Sequence, residues 1–192
     1  MNNPSDQQLI DGCLAGETAA FGLLVERYQH RLYGSLVQVT GSVDQAHDIA
    51  QDTFLHAFEK LSTFRGQSQF YSWLYRIALN AAVSARRKTR RVTASLDVQR
   101  ELTGVEPADE AERASPSVAL EISERRQLVQ KALQELSPEF RTVLVLKEMD
   151  DLKYEEIAEI VNIPVGTVRS RIHRARMELR AKLQCRLQPD VR

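Results

Sequence analysis

Between Tyr154 and Arg176 the sequence spaces its guanidinium groups in a way suited to reading a polyanion. Tyr154-Glu155-Glu156-Ile157-Ala158-Glu159-Ile160-Val161 has the apolar rhythm of a short helix, with small Ala158 where a second helix can cross closely. Asn162-Ile163-Pro164 interrupts it, and a second helix starts at about Gly166. Val168, Ile172, Ala175 and Leu179 fall on one stripe of that helix, which leaves Arg169, Ser170, His173 and Arg174 on the opposite side. Guanidinium forks placed there can meet guanine O6/N7 or phosphate oxygens. Two helices around such a break read as a helix-turn-helix whose second helix enters the DNA major groove.

A second constellation spans residues 64–91. Phe64, Phe70, Tyr71, Trp73 and Tyr75 are interleaved with Arg65, Arg76 and the run Arg86-Arg87-Lys88-Thr89-Arg90-Arg91, without one acidic side chain. Aromatic faces stack unpaired bases while cations follow the backbone, the chemistry of single-stranded nucleic-acid binding. Trp73, Leu74 and Ile77 continue an apolar stripe and are expected in the core; Tyr71, Tyr75, Arg76 and Asn80 are expected on the exposed face. Arg76 and Asn80, four residues apart, share a helix face, and both can hydrogen-bond base edges. Arg86–Arg91 also reads more simply as a solvated helix end, where cations favour the dipole.

The elements that position these groups are helices, and the fold class is all-α. Ser5 caps a first helix with Leu9, Ile10 and Leu14; a second runs from about Glu17, through Phe21, Leu24, Val25, Tyr28, Leu32, Leu36 and Val39, to Gly41. A third buries Ala46, Ile49, Ala50, Phe54, Ala57, Phe58 and Leu61, and a fourth begins near Ser68. Residues 92–118 are acidic, with Gly104, Pro107 and Pro116, and read as a flexible linker or in part as a short surface helix. Twenty-seven residues reach at most about 90 Å, more than two turns of DNA at about 34 Å each. Helices resume at about Ala119, and Ser137-Pro138 is a strong start signal for the next. The expectation is two small helical domains, residues 1–91 and 119–192, the second a helix-turn-helix.

Charge supports that division. The chain has 192 residues and no net charge, 26 basic against 26 acidic. Residues 65–91 carry +7 and residues 166–192 carry +6, offset by −5 over 1–64, −6 over 92–124 and −2 over 125–165. Neutrality here is two basic blocks diluted by acidic surroundings. No run of eighteen apolar residues predicts a membrane segment, and the N-terminus lacks a signal-peptide pattern. Cys13 and Cys185 stand at opposite ends, and the four histidines form no metal-binding motif. A reducing cytoplasm fits, and nothing calls for a cofactor, a metal or catalytic chemistry.

Taken together, these blocks resemble the bacterial extracytoplasmic-function (ECF) sigma factors, promoter-recognition subunits of RNA polymerase. Asp48-Ile49-Ala50-Gln51-Asp52-Thr53-Phe54, with Phe64-Arg65-Gly66 and the stretch from Phe70 to Asn80, is similar to the family's second conserved region; Tyr154-Glu155-Glu156-Ile157-Ala158 with Pro164–Arg171 is similar to its fourth. The resemblance implies that the first domain binds and opens the −10 element. Phe64, Arg65, Gly66, Gln67, Ser68 and Gln69 would form the loop that captures a flipped base, with Tyr75, Arg76 and Asn80 beside it. It implies −35 reading by Thr167, Arg169, Ser170, Arg171, His173 and Arg174, and a phosphate contact from Lys147. Asp48, Gln51, Asp52 and Phe54 match the polymerase-docking surface, though Asp52 also reads as an ordinary solvated charge. Implied partners are core RNA polymerase, promoter DNA and an anti-sigma factor.

His173, Lys147 and the Leu136-Ser137-Pro138 order depart from the common pattern, so the −35 preference does not transfer directly. Two other classes remain for comparison. A stand-alone dimeric helix-turn-helix regulator accounts for residues 154–176 but not for the aromatic-basic block. A DNA-processing enzyme needs a nucleophile or a carboxylate cluster on a rigid scaffold, and the linker carboxylates have none.

Overall fold

A computed structural model of the chain describes residues 4–93 and 116–187, with side chains outside 83–121 and before 187. All eight longer elements among them are α-helices: α1 Asp6–Leu14, α2 Thr18–Thr40, α3 Val43–Glu59, α4 Phe70–Thr93, α5 Pro116–Gln134, α6 Pro138–Glu148, α7 Tyr154–Val161 and α8 Val165–Leu187. A 3₁₀ turn, Leu61–Thr63, precedes α4. Most of the expected linker (residues 94–115) and the side chains of the Arg86–Arg91 run lie outside the described residues.

Local chemistry sets the helix ends. Ser5 Oγ accepts from the Gln8 N–H while Gln8 Oε1 accepts from the Ser5 N–H, so two orphan donors at the start of α1 are satisfied together. α2 stops at Gly41, whose φ of 75° is left-handed and whose N–H donates to the Val37 carbonyl. Ser42 caps α3, and Ser137, followed by Pro138, caps α6. α7 stops at Asn162, a non-glycine residue that tolerates the left-handed region (φ 54°).

Helices α1–α4 pack as one block and α5–α8 as a second, and the two blocks touch. One apolar cluster runs without a break from Leu24, Leu36, Leu74 and Tyr75 in the first block to Val143, Leu146, Ile157 and Ile160 in the second. Within it α4 lies against α7, and α2 against α5 and α6. A smaller cluster of Leu133, Leu136, Leu144 and Ala175 fastens α5, α6 and α8 together.

Polar contacts reinforce this packing. Asp150, in the turn between α6 and α7, is buried, and its carboxylate accepts from Ser35 Oγ at 2.8 Å and from the Tyr71 hydroxyl at 2.9 Å. Arg31 Nε lies 3.3 Å from the same carboxylate, its guanidinium 3.9 Å above the Tyr71 ring. Arg141, also buried, donates to Leu133, Gln134 and Leu136 carbonyls at the end of α5 and reaches across to the Val39 carbonyl of α2. Gln134 Nε2 donates to the Gln38 carbonyl at 2.8 Å. The open carbonyls at the end of α2 are thus satisfied by the second block.

Two expectations are corrected. Tyr71 and Tyr75 do not lie on an exposed face: both are fully buried, on the side of α4 turned towards Asp150. Phe58, expected inside, is 42 % exposed and lies edge-on to Phe21.

Candidate nucleic-acid interface

The short helix α7 and the long helix α8 meet across Asn162–Pro164. Val168, Ile172 and Ala175 are fully buried, and Leu179 packs partly against the smaller cluster. That anchoring turns Arg169, Ser170, His173 and Arg174 outward, all of them exposed. Ser170 Oγ donates to the Thr167 carbonyl at 2.9 Å, a local bond on the exposed side of α8. Thr167 is half-buried at the start of the helix.

The flanking cations are held by carboxylates. Arg169 stands 4.0 Å from Glu155 and 5.6 Å from the centre of the Tyr154 ring. Arg171, half-buried on the other flank of α8, pairs with Glu139 at 2.8 Å. Lys147 donates to Asp151 at 3.0 Å and to the Leu152 carbonyl at 3.2 Å, which fixes its ammonium beside α7. Ion pairs that reach solvent on the carboxylate side, as these do, are individually weak.

Residues 64–69 form the loop between the 3₁₀ turn and α4. Arg65, Gly66, Gln67 and Gln69 are exposed and Ser68 is half-buried; Gly66 has a left-handed φ of 66° that turns the loop. Phe64 does not stand free as a stacking platform. Its ring lies edge-on to Phe70 and Trp73, at 5.8 and 5.4 Å between centroids, and braces the loop against the core. Arg76 and Asn80 emerge one turn apart on α4 and are exposed.

This surface of α4 faces the second block. Arg76, Leu79 and Asn80 line a cleft of about 610 Å³ with Glu139, Ile160, Asn162 and Arg171. A neighbouring cleft of about 480 Å³ brings Arg65, Gln67, Ser68 and Arg76 together with Glu159 and Asn162. The two sets of residues expected from the sequence therefore meet only at Arg171: the first faces α7, and Arg169, Ser170, His173 and Arg174 open outward from α8.

On the far side of the first block, Asp48, Gln51 and Asp52 share the exposed face of α3, whereas Phe54 is half-buried against the core. Leu55, 57 % exposed, and Phe58 follow on α3 towards its end. Sequence reading missed both, because apolar spacing alone counts Phe58 as core; exposed apolar side chains on one helix with Asp48 and Asp52 are the signal of an interaction surface.

Buried ionisable groups cluster at the block boundary. Burial pushes the Asp150 carboxyl above the usual carboxylate range, opposed by the bonds from Ser35 and Tyr71 and by Arg31. Burial likewise raises Tyr71 and Tyr75, with the Asp150 charge acting in the same direction, so both phenols stay neutral. Tyr28, half-buried and bonded to Asp6, is pushed up to about 12. Among the described residues no cluster of His, Cys, Asp and Glu could hold a metal, and no helix is long and apolar enough to cross a membrane.

Comparison with known proteins agrees with this arrangement. Residues 24–92 match sigma-70 region 2, and residues 126–179 match sigma-70 region 4. RNA polymerase sigma-H factor of Pseudomonas aeruginosa is 39% identical over 186 residues, covering 96% of each chain. ECF RNA polymerase sigma-E factor of Escherichia coli is 40% identical over 182 residues, 94% of this chain and 95% of that one. Among solved structures, the sigma factor RpoE of Bartonella quintana, in complex with the anti-sigma factor NepR, aligns with a TM-score of 0.71 at 29% identity, over 85% of this chain and 96% of that one. CnrH, in complex with the cytosolic domain of CnrY, aligns with a TM-score of 0.66 at 26% identity, over 94% and 97%.

A helix-turn-helix block joined to an aromatic-basic helical block, at this identity over nearly the whole chain, defines the class: the chain belongs to the ECF group of the sigma-70 family. It is an RNA polymerase sigma factor, a non-catalytic subunit that binds core polymerase and DNA and directs promoter recognition.

Proposed function

We propose a division of labour in which residues 1–91 form the −10-reading domain, 92–118 the linker and 119–192 the −35-reading domain. Ser170, His173 and Arg174 face the base edges, with Thr167 and Arg169 at the mouth of the groove. Arg171 and Lys147, each already in an ion pair, exchange carboxylate for phosphate. The observation that carries this reading is the two-sidedness of α8: one stripe is sealed in the core, and the opposite one bears exposed donors.

In the first domain the loop Arg65–Gln69 holds an unpaired base, and Arg76 and Asn80 meet the adjoining duplex edge. Phe64 positions that loop rather than stacking on a base. Core polymerase docks on the α3 face formed by Asp48, Gln51 and Asp52 around Leu55 and Phe58. The relatives' anti-sigma complexes support a similar regulator here, and membership of a family of polymerase subunits supports a cytoplasmic location.

The assignment is tested with holoenzyme on promoters altered in one element at a time. Asn80→Ala should weaken recognition at −10 and leave −35 binding intact. Arg174→Ala should cost about 1–3 kcal/mol at −35 if it makes a bidentate base contact. Equal losses on promoter and random DNA would reduce either residue to a phosphate contact.

A further inference from the structure

The loop Arg65–Gln69 takes its shape from its neighbours. Among the described residues the side chains of Arg65, Gln67, Ser68 and Gln69 make no hydrogen bond or ion pair. At one end Phe64 rests on Phe70 and Trp73. At the other, Phe70 lies 5.6 Å from the Tyr28 ring of α2. The Tyr28 hydroxyl, kept neutral by burial and by its bond to Asp6, donates to that carboxylate in the first turn of α1. Arg27 grips the same carboxylate and donates to the Pro4 carbonyl at 2.7 Å. With the Ser5–Gln8 capping box, these bonds pin the start of α1.

Gln7 stands on that pinned turn, exposed to solvent on one side. Its Nε2 donates to Asp11 Oδ1 at 2.8 Å, which turns Oε1 to the other end of the carboxamide. A Cβ placed on Gly66 would lie 3.7 Å from that oxygen, and no other atom beyond the glycine's chain neighbours comes within 4 Å among the described residues. Gly66 is the residue whose left-handed φ of 66° turns the loop. α1 also packs on the 3₁₀ turn that leads into the loop, with Leu9, Ile10 and Leu61 buried in one cluster.

We propose that Gln7 is a positioning residue for base capture: carried on the first turn of α1, it backs the loop at Gly66, so that Arg65, Gln67 and Ser68 meet the unpaired base in one fixed geometry. This deepens the −10 assignment above and rests on it. A site that tells bases apart by hydrogen bonds must hold its donors and acceptors to within about 0.5 Å. A loop ordered only on binding gives up part of that gain as lost conformational entropy. With Gln7 removed, the apex faces solvent, and a left-handed glycine, with the widest choice of backbone angles, is the first point to move. Discrimination then falls further than affinity, because a misplaced donor still meets some base edge.

The test uses holoenzyme reconstituted from core polymerase and the full chain, on a promoter that it transcribes. Each base of the −10 element is replaced in turn by the other three, and open-complex yield gives a preference at each position. Gln67→Ala, within the loop, identifies the captured base as the position whose preference it removes. Gln7→Ala should lower the preference at that same position about three- to tenfold, with the remaining positions and the −35 element read as in wild type. Gln7→Met, of similar length, should restore most of it, and thermal melts of both free variants should match wild type. An unchanged preference in Gln7→Ala, no recovery in Gln7→Met, or an equal loss at every position with a lowered melting midpoint would overturn the positioning role. If Gln67→Ala removes no preference at any position, the loop assignment itself falls. If it does and Gln7→Ala does not, the assignment stands and the positioning role alone is lost.

Discussion

Asp150 shows how one side chain can tie two blocks together, and its chemistry makes that role measurable. Arg31, Tyr71 and Tyr75 face it from α2 and α4, and burial is the dominant influence on its carboxyl. Because that carboxyl is raised in the folded chain, the folded state binds its proton more tightly than the unfolded one. Its contribution to stability is therefore fully present below the unfolded value, is lost as pH rises through the folded value, and is level above it. In denaturant melts, wild type should lose stability relative to Asp150→Asn as pH rises from the unfolded to the raised folded value, by about 1.4 kcal/mol for each unit by which the carboxyl is raised. A difference between the two proteins that stays constant with pH would contradict the burial account. None of this was legible in the sequence, where Asp150 is one of several acids in Glu148-Met149-Asp150-Asp151, and its partners lie 79 to 119 residues away.

At the level of elements, sequence reading succeeded where signals are local. Ser5, Gly41, Ser42 and Ser137-Pro138 mark helix ends by their own chemistry, and the helix-turn-helix is contained within Tyr154–Arg176. It failed where one helix serves two neighbours. On α4, Trp73 packs on Phe64 and Phe70 of its own block, as the apolar stripe implies, but buried Tyr71 also bonds Asp150 of a second block that no local pattern announces. On α3, the reverse held, and Phe58 stayed exposed. Gly41 joins both kinds of information. Its left-handed φ ends α2, and a Cβ there would meet the Gln134 side chain that reaches back to Gln38. Gly41→Ala should destabilise the chain by about 1–2 kcal/mol from backbone strain alone, with a further loss as Gln134 is displaced. Thermal melts check this, and an unchanged midpoint would mean that the turn relaxes freely.

For the molecule as a whole, the fold class and the two helical blocks could be read from residue order, because each block carries its own apolar stripe. The packing of one block on the other could not, since it depends on surfaces that are complementary only in three dimensions. The neutral total charge acquires a physical sense in that packing: acidic Glu159 faces the basic α4 surface, and Glu139 and Glu155 pair with cations of α8. On the proposed reading, binding DNA replaces these internal partners with phosphate, which suits a subunit that works in company with polymerase. The most direct measurement of that claim is run-off transcription by core polymerase on genomic fragments, with and without this subunit. The subunit should direct initiation at a defined set of start sites with paired −10 and −35 elements and should fail to bind those sites tightly by itself. Specific, tight operator binding without polymerase, and no new start sites with it, would contradict the account.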